Sequence, residues 1–534
     1  MYSKFRLNTH PRGSLLTLVD RDGSTLYDNE GDRLLFAIIE QNDVSMLDQY
    51  FSLSPGYPYP GPVLCEDPFW IAATCGSTDV LRWMLERFGD FSRTPGPAKQ
   101  VFSLLNQACY YARIETILFL LDSQPPFGTV HDREIYDTTA LMSAACSFNF
   151  LGSIHPDTEE WIRDRIARGE KLMHILLDRG APTQDASFPH RVSDIQPRQP
   201  QHTVLGLAML RASSPLVKRL LSGGADVHNK QRYWYWTFCG KNECSPWDVT
   251  ALHIGSLGWN SDGIQALLDD REITDLVLAR DSDGRLPIHW AAIGLDAREC
   301  ARPDDDVALR LVNTFKVLLY GKPDTVNAPD SEGMTPLHHL VARHASCSGS
   351  KHIELATKFL LDAGADVSAQ DNDNQTVLHK LCTLCMNGDD ETTLLELLIA
   401  HGADPRHVDK NGQTALHLAS RNLQQVQAVK VLLCHGADFN AVNIQGNTVF
   451  HQCIGGGDIP LVRSSVEKIR AQDEMIRVLH EAAGGEDTLM DQPNTQGRTP
   501  RQMMLDKRRV WQDKEERIRT PSGRRGRGRP RRGG

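Results

Sequence analysis

The stretch Asp330-Ser-Glu-Gly-Met-Thr-Pro-Leu-His338 sets the reading of this chain, because it recurs along it. It returns as Asp371-Asn-Asp-Asn-Gln-Thr-Val-Leu-His379 and as Asp409-Lys-Asn-Gly-Gln-Thr-Ala-Leu-His417. Looser copies are Asp281-Ser-Asp-Gly-Arg-Leu-Pro-Ile-His289 and Asn443-Ile-Gln-Gly-Asn-Thr-Val-Phe-His451, and Asn494-Thr-Gln-Gly-Arg-Thr-Pro500 is a truncated one. A second phrase follows the first: Phe359-Leu-Leu-Asp-Ala-Gly-Ala-Asp-Val367, Leu397-Leu-Ile-Ala-His-Gly-Ala-Asp404 and Val431-Leu-Leu-Cys-His-Gly-Ala-Asp438, with an earlier copy at Leu220-Leu-Ser-Gly-Gly-Ala-Asp-Val227.

Each phrase has a physical meaning. Asp-x-x-Gly is turn chemistry, in which Gly supplies a positive φ. Thr335 is a helix N-cap, and Pro336 takes the first helical position, where its missing N–H costs nothing. A second helix, Ala356 to Ala363, stops at Gly364, a C-terminal glycine cap. Each unit is therefore turn, helix, loop, helix and stop. Two such short helices cannot bury their apolar faces alone, so neighbouring units must stack.

Thr-Pro-Leu-His followed by Gly-Ala-Asp resembles the ankyrin repeat. The resemblance is strong from Val249 to Pro500 and weaker from Tyr27 to Gly240. There the helix pairs are Pro68-Phe-Trp-Ile-Ala-Ala73 with Asp79-Val-Leu-Arg-Trp-Met-Leu85, and Thr139-Ala-Leu-Met-Ser-Ala-Ala145 with Leu172-Met-His-Ile-Leu-Leu177. It implies an all-α ankyrin-repeat solenoid of stacked helix pairs with short β-turn fingers, in roughly ten to twelve units. The expected divisions are a lead-in at 1–25, divergent repeats at 26–248, clear repeats at 249–506 and a basic tail at 507–534. Thr335 to Thr376 spans 41 residues and Thr376 to Thr414 spans 38, whereas Thr414 to Thr448 spans 34. The extra residues, such as Ala345 to Lys351, fall between the paired helices, and Phe148 to Glu170 reads as a larger insertion of the same kind.

A 534-residue chain exceeds one ordinary core, and a repeat array escapes that limit. The first twenty residues hold no apolar run of signal-peptide length, and no stretch approaches a bilayer span. The expected location is intracellular, in nucleus or cytoplasm, without a membrane partner. Twelve cysteines without a secretory signal read as reduced thiols, several of them within apolar helix patterns.

The recurring histidines, His253, His289, His338, His379, His417 and His451, sit at one repeat position. A catalytic group is needed once, whereas a packing group is needed in every unit, and the resemblance implies that this histidine hydrogen-bonds neighbouring loops. His379-x-x-Cys382-x-x-Cys385 has no evident fourth ligand, and Cys382 falls where a small packing residue belongs. Cys239 and Cys244 are weaker still. No nucleophile elbow, phosphate loop, dinucleotide fingerprint or paired zinc-ligand motif occurs. The expectation is a non-enzyme with no cofactor, metal or catalytic residue.

Two segments remain as contact candidates. Tyr233, Trp234, Tyr235, Trp236 and Phe238 place five aromatics in six residues of an enlarged connection, and such side chains are enriched in binding hot spots. Covering an edge of the stack is the alternative role. In the tail, Arg524, Arg525, Arg527, Gly528, Arg529, Pro530, Arg531 and Arg532 resemble an AT-hook or an arginine-glycine segment, disordered in isolation. From 501 to 534, thirteen Lys or Arg face four Asp or Glu, a net of +9 that leaves −19 on the rest of a chain whose total is −10. The expected function is a scaffold that binds a protein partner on a concave repeat surface, with a tail for nuclear targeting or for AT-rich DNA or RNA. The alternatives are an AT-hook chromatin-associated DNA-binding protein, or an adaptor subunit of a ubiquitin-ligase complex.

Overall fold

The computed structural model describes residues 6–9, 16–19, 25–28, 33–53, 68–88, 103–134, 137–148, 159–188, 200–233, 246–269, 271–295, 307–344, 351–383, 391–456, 464–484 and 487–519. The chain divides into two compact units, Met1–Lys322 and Pro323–Gly534.

The first unit begins with an antiparallel meander of β1 (Arg6–Thr9), β2 (Leu16–Val19) and β3 (Thr25–Asp28). No strand was expected in this lead-in, because segments of four residues are too short to display an alternating pattern. The meander packs on the first helix pair, β2 against α1 (Arg33–Glu40) and β1 against α2 (Val44–Leu53). Further pairs follow: α3 (Pro68–Cys75) with α4 (Thr78–Phe88), α5 (Leu104–Tyr110) with α6 (Ile114–Asp122), and α7 (Ala140–Cys146) with α8 (Glu159–Asp178). The last three are α9 (Val204–Met209) with α10 (Ser214–Ser222), α11 (Ala251–Leu257) with α12 (Ser261–Leu268), and α13 (Pro287–Ile293) with α14 (Val307–Gly321). Each first helix packs on the first helix of the next pair, from α1 through to α13.

The second unit repeats the plan. Its pairs are α15 (Pro336–His344) with α16 (Lys351–Asp362), α17 (Val377–Thr383) with α18 (Glu391–Ala400), α19 (Ala415–Arg421) with α20 (Val426–Cys434), and α21 (Val449–Gly455) with α22 (Ser465–Ala482). A last helix, α23 (Pro500–Arg519), closes this unit against α21 and α22. It is one unbroken helix through Asp506, with Trp511 buried beneath the ammonium groups of Lys468 and Lys507.

First and second helices differ because their surroundings differ. Every residue of α9 and of α11 is buried, since a first helix has neighbours on both sides. Second helices bury one stripe, as in α10, where Leu216, Val217 and Leu220 face inward. The insertion expected from Phe148 to Glu170 is helical from Glu159 onward. It lengthens α8 to 20 residues, because Ile166, Leu172, Met173 and Leu176 continue one buried face. Of the extra residues at Ala345 to Lys351, 345–350 lie outside the described residues.

Close stacking makes particular glycines obligatory. Gly258 caps α11, and a Cβ there would sit 2.4 Å from the carbonyl oxygen of Leu210, a backbone atom that cannot swing aside. Gly258→Ala should therefore lower stability by about 1–3 kcal/mol in a denaturant melt. Gly321→Ala, with nothing within 4 Å of the added carbon, should be neutral by the same measurement.

Candidate functional site

The second unit presents a row of fingers, each built by one Asp or Asn side-chain oxygen. Asp330 Oδ1 accepts the amides of Glu332 and Met334, at 2.9 Å each, and Gly333 takes φ +78°. Asp371, Asp409 and Asn443 hold the same pair of amides, two and four residues on. Adjacent fingers are then joined backbone to backbone. Asn372 N–H donates to Glu332 O (2.8 Å), Lys410 to Asp373 O (3.0 Å), Ile444 to Asn411 O (3.0 Å) and Thr495 to Gln445 O (3.0 Å).

The recurring histidine ties each finger to the helix behind it. His338 Nδ1 lies 3.2 Å from Thr335 N, and its Nε2 lies 3.2 Å from Gln375 O in the next finger. His379 joins Thr376 to Gln413, His417 joins Thr414 to Asn447, and His451 joins Thr448 to Arg498. In the first unit His253 joins Thr250 to Arg285, and His289 Nδ1 accepts the amide of Leu286. A backbone amide can only donate, so Nδ1 accepts and the proton resides on Nε2. Burial pushes His253 and His338 down to about 4, with the bridged carbonyls opposing the shift, so both are neutral at pH 7. With both nitrogens of His379 committed, no imidazole lone pair is left for a metal beside Cys382, whose thiol burial pushes up to about 12. Cys239, Cys244 and Cys385 lie outside the described residues.

The sequence reading missed how the first unit replaces this imidazole. At α9 the repeat position is Gly206, and Gln231 from the next finger fills its place, accepting the amide of Thr203 at 2.7 Å. At α5 two residues divide the two bonds between them. Glu134 Oε1 accepts the amide of Ser103 (2.6 Å), and Asn106 Nδ2 donates to Thr138 O (3.0 Å). Burial raises Glu134 to about 7. The residue after the histidine was missed as well. Trp290 Nε1 and His339 Nε2 bond the second oxygen of their own finger's Asp281 and Asp330, at 2.9 and 2.8 Å, and Lys380 pairs with Asp371.

These bonds occupy the inner side of the fingers and leave the outer side to solvent. Val408 (49% exposed), Val442 (46%) and Ile444 (67%) project from the two successive fingers that carry Asp409 and Asn443. Asp366, Asp373, Asp404 and Asp438 are exposed along the same run of fingers, as are Arg406 and Lys410.

Of the aromatic candidates, only Tyr233 is described. It is 4% exposed and packs edge-on to Trp290 at 5.8 Å, in a cluster with Leu210, Val249, Ile254 and Leu257. Tyr233 is thus part of the core and is withdrawn as a contact residue. Trp234, Tyr235, Trp236 and Phe238 lie outside the described residues, in a segment whose flanks are hydrogen-bonded to each other, Tyr233 N–H to Pro246 O at 3.2 Å. The tail candidates Arg524, Arg525, Arg527, Gly528, Arg529, Pro530, Arg531 and Arg532 also lie outside. Among the described residues, no helix is long and apolar enough to cross a membrane.

Comparison with known proteins agrees with this architecture. Residues 343–443 match a family model described as ankyrin repeats, in three copies. A NAD-dependent deacetylase sir2B of Dictyostelium discoideum is 25% identical over 40% of this chain and 27% of its own length. An ankyrin repeat and LEM domain-containing protein 1 homolog of Caenorhabditis elegans is 38% identical over 16% of this chain and 11% of its own. A probable 26S proteasome regulatory subunit p28 of Saccharomyces cerevisiae is 29% identical over 29% of this chain and 71% of its own. The matches thus span 27% and 11% of the first two relatives.

The histidine bridge makes a pH-dependent contribution whose sign follows from neutrality in the fold. The unfolded side chain takes up a proton below about 6.5, while folded His338 resists protonation down to about 4. Its contribution is therefore complete above pH 6.5 and lost as pH falls toward 4. His338→Ala orphans the Thr335 amide and the Gln375 carbonyl and should cost about 2 kcal/mol at pH 7.5. In matched denaturant melts at about pH 5 the difference between the two proteins should shrink.

Proposed function

We propose that this ankyrin-repeat protein is a non-enzymatic scaffold whose protein partner docks on the outer side of the fingers in the second unit. The observation that carries the reading is the trio Val408, Val442 and Ile444. Aliphatic side chains on neighbouring finger positions are not needed by any helix, and clustered exposed apolar surface marks interaction sites. The exposed carboxylates of this run of fingers suit a partner segment that alternates aliphatic and basic side chains. The histidines that could have served chemistry are committed to holding the fingers in place. The deacetylase activity in one relative's name, like the proteasome in another's, belongs to those proteins, and neither is needed to account for the residues described.

The reading is tested by capturing partners from cell extract with the wild-type chain and with Val442→Asp/Ile444→Asp. Both residues are exposed, so the double variant should melt as the wild type does, within about 0.5 kcal/mol. It should lose the specific partner by about tenfold or more (about 1.4 kcal/mol). Equal capture by both proteins would refute docking on the fingers. Trp234→Ala/Trp236→Ala provides the arm for the aromatic segment as a second contact.

The tail, 507–534, is assigned nuclear targeting or nucleic-acid contact on its charge. Gly528 has no side chain, which suits close approach of the backbone to a minor-groove floor, with Arg527 and Arg529 directed along the groove. With about four phosphates met by the flanking arginines, the logarithm of affinity should fall with log salt at a slope of about −3.6. AT-rich duplex should be preferred to GC-rich duplex and to single-stranded RNA at one salt concentration, and Arg527→Ala/Arg529→Ala should remove the preference. Equal affinity for all three would leave nuclear import as the account of these arginines.

A further inference from the structure

Three arginines of the first unit meet where the ends of α3, α5 and α7 approach the N-terminal half of α8. Arg113 Nε donates to Thr74 O at 2.7 Å, at the end of α3. Arg165, 4% exposed, donates Nε to Ser147 O at 3.1 Å and a terminal nitrogen to Tyr110 O at 3.4 Å, and so reaches the ends of α7 and α5 together. Its guanidinium also lies 5.9 Å from the Tyr110 ring and 5.7 Å from the Tyr111 ring. Gly169 allows this approach, because a Cβ there would fall 2.4 Å from Ser147 Oγ.

Helix C-termini carry partial negative charge, and a cation set on their carbonyls is a cap. Capping accounts for Arg165 and for one nitrogen of Arg113, and Arg310 does the same for the carbonyls of Gly258 and Trp259, at 3.0 and 3.2 Å. It does not account for Arg168. Arg168 Nε is buried without a hydrogen-bond partner, and among the described residues the side chain meets no acceptor at all. The two terminal nitrogens of Arg113 likewise have none there. Burial, first, and then like charge hold Arg165 below the ordinary arginine range, the like charge coming from Arg113 and Arg168. Burial also lowers Arg113, with Arg168 again adding repulsion. The groups that oppose these effects are Cys75, Tyr110 and Tyr111, none of them a carboxylate. Three guanidinium groups thus act on one another, and Arg168 and the terminal nitrogens of Arg113 have donors that meet no acceptor among the described residues.

We propose that Arg113, Arg165 and Arg168 form a binding site for a phosphate dianion, free or as a monoester. Arg168 and the terminal nitrogens of Arg113 supply the forks, and Arg165 is the fixed charge behind them. The planar guanidinium matches phosphate oxygens in pairs, and a dianion offsets more of the clustered charge than a single carboxylate does. Free inorganic phosphate and the phosphorylated side chain of a polypeptide share this chemistry.

The full-length protein is titrated calorimetrically at pH 7.5 and constant ionic strength with inorganic phosphate, with a short phosphoserine peptide and with the same peptide unphosphorylated. The proposal requires saturable binding of at least one phosphate-bearing probe and none of the unphosphorylated peptide. Binding of the peptide alone identifies a phosphorylated polypeptide as the source, and binding of inorganic phosphate with equal affinity identifies the free anion. Arg168→Gln breaks no hydrogen bond among the described residues, so it should melt at or above the wild-type temperature. It should bind the probe at least about tenfold more weakly, the loss of one charge-assisted hydrogen bond. Absence of saturable binding, or binding undiminished in Arg168→Gln, would overturn the proposal and leave the arginines as helix caps.

Discussion

The first helices α11, α17, α19 and α21 are seven residues each, two turns that water would melt, because a helix this short does not recover the cost of its nucleation. Each persists because it is buried between like helices and because its open N-terminus is closed by the side chain of its own third residue. The closing group is the imidazole of His253, His379, His417 or His451, which accepts an amide at the helix start and donates to a carbonyl of the following finger. One side chain thus secures a helix, a turn and the register between successive repeats. That double duty explains why the residue recurs, while burial, against the pull of the bridged carbonyl, holds it below the ordinary histidine range.

The bridge can be built in other ways, and the first unit uses two of them. Gln231 reaches into the space left by Gly206, and Glu134 with Asn106 divides the two bonds of one imidazole. Both preserve an acceptor for the helix-start amide, a group costly to leave open in a buried junction, while only the Glu134–Asn106 pair also reaches a finger carbonyl. The repeats before Val249 look divergent in sequence for this reason, although their helices stack in the same manner.

Holding the fingers from within leaves their outer faces unconstrained, so exposed positions differ from finger to finger without cost to the stack. Gln370, Val408 and Val442 occupy one finger position, as do Asn372, Lys410 and Ile444 another. Such variation over a fixed frame is the physical basis on which a repeat protein acquires a particular partner. Charge is distributed with the same freedom: carboxylates gather on the fingers of the second unit, whereas the helix ends of the first unit gather arginines.

The sequence by itself determined the helix-pair repeat, the turn built on Asp and Gly, the caps at Thr335 and Gly364 and the shared role of the histidines. All of these are local or periodic signals, written within one repeat and multiplied by recurrence. Only the tertiary structure decided which side chains face a neighbour from a distant part of the chain. Tyr233, in sequence a candidate either for partner contact or for covering an edge of the stack, is core, because Trp290 lies against it. Arg113, Arg165 and Arg168, which no sequence motif links, are gathered because α8 is pressed against the end of α7 at Gly169. Arg113 and Thr74 are 39 positions apart in the chain, and Arg165 and Tyr110 are 55 apart. No period in the sequence marks such pairs, and stacking alone brings them within bonding distance.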